Sequence, residues 1–283
     1  MESTASQAAA TTTDWGEKAW KLLASVRRES PLVQCITNYV SMDLMANTLL
    51  AAGASPAMLH SIDEIPDFTP CAHSLCVNIG TLSPSWLPAM KAAAALSSKL
   101  GKPWVLDPVA VGASSFRMKA CLELVDFKPT VIRGNASEII ALSRASASTD
   151  SAKGVDSIHD SLDAIEAAKL LAQTSGSIVA VSGATDIVTD GKQVVGAHNG
   201  VAMMQTITAT GCSVSALITA FVAVDKLHAL DAAISALSIF GVAGELGMKM
   251  AKGPASLRMH LIDSLYGLDE AAVLSHVKIT SLS

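Results

Sequence analysis

Short apolar runs ending on polar residues alternate with helical patterns along most of this chain, and that alternation restricts the fold more than any other feature. The runs "PLVQCIT", "SLCVNIGT", "PWVLDPV", "TVIRGN" and "SIVAVSG" read as strands, and "ASPAMLH" as a short strand or loop. Residues 15–29, 42–53, 85–101, 136–143 and 161–176 carry helical patterns, and helices dominate from 213 onward. "TDIVTDG" reads as a further strand, and "KQVVGAHNG" as a hairpin-like piece with an Asn199–Gly200 turn. Strands followed by helices of about 10–15 residues predict an α/β fold whose mostly parallel sheet carries helices on both faces. Ligands of such sheets bind beyond the carboxyl ends of the strands. One crevice is therefore expected to collect Asn38, Thr81, Asp107, Arg133, Ser182 and the 208–212 turn.

Half of the 283 residues are hydrophobic but only 4% are aromatic, so small aliphatic side chains must fill the core. Charged residues make up 16%, against roughly 25% in typical globular domains. So little charge predicts a surface partly covered by another subunit. The net charge of −5 and the lack of a basic stripe argue against a nucleic-acid partner. Five cysteines, with no CxxC pair, argue against a disulfide framework or structural zinc and fit a reducing compartment. Residues 1–13 are Ser/Thr/Ala-rich, without an apolar stretch of signal-peptide type, and are expected to form a disordered tail on one domain spanning 14–283. A cytoplasmic location is the matching expectation. The polar segment 144–160 is expected to be an exposed loop. Residues 201–224 carry no formal charge, yet Gln205, Thr206, Thr208, Thr210, Ser213, Ser215 and Thr219 interrupt them. That leaves too short an apolar stretch for the roughly 20 residues a bilayer span needs.

Three stretches carry candidate chemistry. "TATGC" runs into a helix whose first amides lack partners, with Gly211 allowing close approach of an anion. Cys212 would sit in that field, or simply pack as a small residue. Asp107 in "VLDPV" stands where an aspartate can hold magnesium through water; an Asx turn before Pro108 is the alternative. In "VIRGNASEI", Asn135 and Glu138 are spaced for a capping box, while the alternative puts Glu138 near a metal and Arg133 on a phosphate. No GxxxxGK[ST], GxGxxG or GxSxG motif occurs.

Taken in order, "CITNYVSMDLMANTLLAAGASPAM", "VNIGTLSP", "GKPWVLDPVAVGAS", "VIRGNASEI", "VAVSGATDIVTDG" and "TATGC" resemble the hydroxyethylthiazole kinases, thiamin-salvage enzymes of the ribokinase-like superfamily. The resemblance covers about residues 30–250. It implies a ribokinase-like sheet flanked by helices, ATP and Mg2+ as cofactors, and a homotrimer with active sites at subunit interfaces. It also implies transfer of the ATP γ-phosphoryl to the hydroxyl of 4-methyl-5-(2-hydroxyethyl)thiazole. Carried over by motif, Asn38, Val40, Met58 and Ala209 would meet the thiazole. Arg133, Ser182 and Asp107 would serve ATP, while Asp107, Asn135 and Glu138 would hold magnesium. Thr210 and Gly211 would form the anion cradle, and Cys212 would orient the substrate hydroxyl and accept its proton late. Two positions depart from the pattern: Ala209 replaces a usual glycine, and Ser182 a usual threonine. A related kinase of another small alcohol, such as the pyrimidine of thiamin biosynthesis, and a non-catalytic binding subunit are the rival readings.

Overall fold

The computed structural model describes residues 14–147 and 162–282. The expected tail 1–13 lies outside them, as does 148–160 of the expected loop. Among the described residues, nine strands form one sheet in the order β2-β1-β3-β4-β5-β6-β7-β8-β9. They are β1 (Leu32–Ile36), β2 (Ser55–Met58), β3 (Ser74–Asn78), β4 (Trp104–Asp107), β5 (Val131–Asn135), β6 (Ile178–Ser182), β7 (Asp186–Thr189), β8 (Val194–Ala197) and β9 (Ile279–Ser281). Strands β1 to β6 run parallel, and β7 to β9 add an antiparallel flank. The edge strand β2 has four residues, one of them Pro56.

Because strand side chains alternate between faces, each strand feeds two cores. Cys76, Val105 and Val131 enter one, and Leu75, Val77, Trp104, Leu106 and Ile132 the other. The first core is closed by α1 (Trp15–Glu29), α2 (Met42–Ala52), α8 (Thr210–Val224), α9 (Ala229–Met248), α10 (Pro254–Gly267) and α11 (Glu270–His276). The second is closed by α3 (Ile65–Phe68), α4 (Leu87–Lys99), α5 (Ser115–Val125), α6 (Ala136–Ala147) and α7 (Leu162–Ser175). Helices thus cover both faces, as the alternation requires. The uncharged segment becomes α8, buried continuously from Ser213 to Val222 against the sheet, α2 and α9. Helix α9 is apolar and long enough to cross a bilayer, and 83% of its apolar stretch is buried inside the fold.

Three local expectations change. Residues 144–147 complete α6 rather than starting a loop. Helix α5 and strand β9 were not foreseen. The turn between β7 and β8 falls at Asp190–Gly191, where the Asp190 carboxylate accepts the amides of Lys192 and Gln193 and Gly191 adopts φ +91°. Asn199, although followed by glycine, is a buried junction instead. Its Oδ1 accepts Ser238 Oγ at 2.6 Å and the Lys278 amide at 2.9 Å; its Nδ2 donates to Glu245 Oε1 at 3.1 Å and the His276 carbonyl at 2.8 Å. Four tertiary bonds outweigh the local turn preference of an Asn-Gly pair.

Gly241 of α9 lets this junction approach. A Cβ there would lie 2.6 Å from the Asn199 carbonyl carbon, whereas one at Gly267 would meet nothing within 4 Å. Gly241→Ala is expected to destabilise the fold by about 1–3 kcal/mol, the range for overpacked sites, while Gly267→Ala leaves it within about 0.5 kcal/mol. Urea unfolding midpoints of the two variants check this.

Candidate active site

The crevice at the carboxyl ends of β1, β3, β4, β5 and β6 is organised around Asp107, the last residue of β4. The residue is 1% exposed, and no cation lies within ion-pair distance of it among the described residues. Its Oδ2 accepts Asn78 Nδ2 at 2.7 Å and Ser215 Oγ at 2.8 Å, tying β4 to β3 and to α8. The Asx-turn alternative is therefore not what holds this carboxylate. Burial raises its pKa to about 6; Glu138 adds to the rise, while Arg133, Ser215 and Asn78 oppose it.

A chain of amides leads from Asp107 to Cys212. Asn78 Oδ1 accepts Asn38 Nδ2 at 2.8 Å and the Gly80 amide at 2.9 Å. Asn38 Nδ2 also lies 3.5 Å from Cys212 Sγ, donating to it, and Asn38 Oδ1 caps the following turn through the amides of Val40 and Ser41. Burial pushes the Cys212 thiol up to about 11, Asp107 adds to this, and Asn38, Asn78 and Arg133 counter it only in part. Burial therefore favours the neutral thiol form of Cys212.

Helix α8 opens with no side-chain cap, because Ala209 has none to give. The amides of Thr210, Gly211 and Cys212 therefore have no intrahelical acceptors, and the first two residues line the cavity. Ala209 itself takes φ +71°, the left-handed region that costs alanine about 1 kcal/mol and explains why glycine is the usual choice. Thr210 Oγ1 turns back to the carbonyls of Met204 and Ile207, so this cradle offers amides rather than that hydroxyl. Gly211 fits because a Cβ there would come within 2.8 Å of Arg133 Nη1.

Arg133, on β5, donates through Nε and Nη2 to Ser182 Oγ at 3.0 and 2.5 Å. Both line a cavity of about 520 Å³ together with Asn135, Asp186, Thr210 and Gly211. Val201, Ala202, Met204, Val214, Leu237 and Phe240 supply its apolar lining. Asp186 also titrates near 6, raised by burial and held back by the Gly183 amide and Arg133. Glu138 and Asn135 form the reciprocal capping box: Glu138 Oε2 accepts the Asn135 amide and Asn135 Oδ1 accepts the Glu138 amide. Glu138 Oε1 additionally takes the Ala110 amide at 2.8 Å, fixing a residue at φ +53° just beyond β4.

The crevice thus gathers Asn38, Asp107, Cys212 and, around the cavity, Arg133, Ser182, Asn135, Thr210 and Gly211. Val40 and Met58 stand apart from the cavity. Val40 is 65% exposed, and Met58, half-buried on the β2 edge, packs in part against the first core. Asn78, Ser215 and Asp186 were missed. A buried asparagine closing an apolar strand was the available signal for Asn78; Ser215 carried none, being one of several hydroxyls on an apolar helix.

A mostly parallel sheet with an arginine, an uncapped helix start and a nucleotide-sized cavity at its carboxyl edge defines a small-molecule kinase of ribokinase-like fold. Pyridoxal kinase from Staphylococcus aureus, solved with AMP-PCP and pyridoxal, shares that fold at 16% identity and TM-score 0.63, over 89% of this chain and 99% of its own. The structure of a hydroxyethylthiazole kinase protein from Pyrococcus horikoshii OT3 is 37% identical with TM-score 0.87, covering 94% of this chain and all of its own. The hydroxyethylthiazole kinase of Arabidopsis thaliana is 68% identical over 95% of this chain and 97% of its own. The model of the hydroxyethylthiazole kinase family matches residues 23–271, and the chain belongs to that family. It is accordingly an enzyme, a phosphotransferase with an alcohol acceptor.

The raised Asp107 pKa has a consequence for stability. Below its unfolded value near 3.9 the group is protonated in both states. As pH rises the unfolded chain ionises first, so stability falls until the folded pKa of about 6 is passed. The loss is on the order of 3 kcal/mol for such a shift. Asp107→Asn is expected to flatten the decline between pH 4.5 and 7.5 and to unfold later than the native chain at pH 7.5. Urea midpoints in metal-free buffer at the two pH values test this.

Proposed function

We propose that this chain transfers the γ-phosphoryl group of ATP to the hydroxyl of 4-methyl-5-(2-hydroxyethyl)thiazole, a step of thiamin salvage. The observation that carries this reading is the adjacency, in one turn of α8, of two things: the Thr210–Gly211 start that lines the cavity with Arg133, and the Cys212 thiol held by Asn38. In this reading the apolar wall takes the adenine, and Arg133 with Ser182 takes the phosphates. The amides of residues 210–212 receive the charge that accumulates on the travelling phosphoryl. The thiazole lies by Asn38, Val40, Met58 and Ala209.

Asp107, Glu138 and Asn135 suit a hard, oxygen-seeking cation. Burial raises the cost of ionising Asp107 and the nearby Glu138 adds to it, a cost that a bound cation would relieve. Magnesium there would neutralise triphosphate charge. The thiol orients the alcohol oxygen; the alcohol proton leaves late in a loose transition state, so a strong base is not required. In this reading a neighbouring copy in a homotrimer covers exposed apolar side chains such as Tyr39, Val40, Leu50 and Ile62, and the chain works in the cytoplasm.

Formation of a thiazole phosphate from added thiazole alcohol and ATP tests the reading, with hydroxymethylpyrimidine in parallel. Turnover of the pyrimidine but not the thiazole would transfer the assignment to the related kinase class. Cys212→Ser is expected to lower kcat about 10–100-fold, the scale of a lost positioning contact, with the KM for ATP within twofold. Cys212→Asp keeps measurable turnover, because a carboxylate can also hold the hydroxyl. Full turnover in the serine variant would remove Cys212 from the mechanism.

A further inference from the structure

Arg117 lies in the first turn of α5 and is not among the residues that line the cavity. Its guanidinium donates three hydrogen bonds, all to backbone carbonyls: Nη1 to Ile79 at 2.6 Å and to Val109 at 3.0 Å, and Nη2 to Gly80 at 2.6 Å. Residues 79 and 80 leave β3 directly after Asn78, and residue 109 leaves β4 two places after Asp107. Carbonyls leaving the ends of parallel strands lose their ladder partners, and an unmet buried carbonyl is costly. One planar fork meets three of them and locks two adjacent strand exits together, which a lysine's single ammonium cannot do with fixed geometry. No carboxylate lies within ion-pair distance of Arg117 among the described residues, so its partners are these carbonyls.

The held peptide reaches the thiol in three bonds. The Gly80 amide donates to Asn78 Oδ1, Asn78 Oδ1 accepts Asn38 Nδ2, and Asn38 Nδ2 donates to Cys212 Sγ. Gly80 is also the wall against which Asn38 is set: a Cβ there would lie 2.6 Å from Asn38 Nδ2. A small shift of residues 79–80 therefore moves the amide that aims the sulfur. The other arm acts on the β4 exit, where Glu138 already fixes Ala110 one residue beyond Val109.

We infer that Arg117 is a positioning residue for phosphoryl transfer, acting through the Gly80 peptide and the Asn78–Asn38 amides on Cys212. The inference rests on the reading of Cys212 as the group that meets the alcohol, and the experiment separates the two. Steady-state kinetics are measured for Arg117→Met, Arg117→Lys, Arg117→Ala with added guanidinium, Cys212→Ser, and the Arg117→Met/Cys212→Ser double variant, with thermal midpoints alongside. Arg117→Met is expected to lose about 10-fold or more in kcat with the KM for ATP within twofold, comparable to a misplaced catalytic group. Guanidinium is expected to restore part of the alanine variant's turnover, and lysine to restore less than arginine. Because both residues act on one contact, the double variant is expected to be no worse than about twice the poorer single variant. If Arg117→Met does not fold, guanidinium rescue of the alanine variant and the lysine kcat decide the matter. Turnover of Arg117→Met or Arg117→Lys within twofold of native overturns the inference, as does full additivity in the double variant. Should Cys212→Ser retain native turnover while Arg117→Met is impaired and guanidinium rescues Arg117→Ala, the Cys212 reading falls and Arg117 still positions the strand exits.

Discussion

A buried carboxylate with no ion-pair partner among the described residues holds this site together. Asp107 sits where the middle of the sheet meets α8, and its Oδ2 is shared by an amide from β3 and a hydroxyl from α8. Burial lifts its pKa to about 6, and the two neutral donors offset that rise only in part. The arrangement joins stability and chemistry in opposite senses. A neutral isostere would suit the fold better at neutral pH, whereas the crevice gains a negative charge fixed at the end of a rigid strand. Such a charge is retained at the expense of the native state, as strained and desolvated groups at functional sites commonly are.

Much of the architecture could be read before the structure was seen, because its determinants are local. Short apolar runs ending on polar residues, the glycines closing α2 and α4, and the Pro31 stop after α1 place β1, β3 to β6 and these helices within a few residues. Parallel pairing then forces their polar exits to one edge, and Asp107, Arg133, Ser182 and the start of α8 meet there as the topology demands. What was not legible depended on partners distant in sequence. Asn199 looks like a turn residue because Asn-Gly pairs turn in isolation; its four bonds come from α9, α11 and the segment before β9. The acidity of Cys212 was equally out of reach, since it balances burial and Asp107 against the Asn38 amide. Glu138 shows that two readings of one spacing can be compatible. It completes the capping box and also reaches the β4 exit, one oxygen to each.

The crevice is assembled from two kinds of support. In the proposed reaction, donors for the phosphoryl charge come from the Arg133 side chain and from backbone amides at the start of α8, which the helix provides without side-chain entropy. Orientation comes from buried amides, whose positions are set by strand ends and close glycine contacts at 80 and 211. Neither depends on a flexible lysine or on a loop anchored only at its ends. That suits a reaction in which placement and charge stabilisation contribute more than acid–base strength.

The sheet's border near the substrate side also limits how copies of this chain can meet. Strand β2 is four residues long, and proline fills one of its places, so little of its outer backbone can donate hydrogen bonds to an added strand. An added copy meeting this rim would therefore have to fit against its side chains, because the ladder offers few free donors with which to grow.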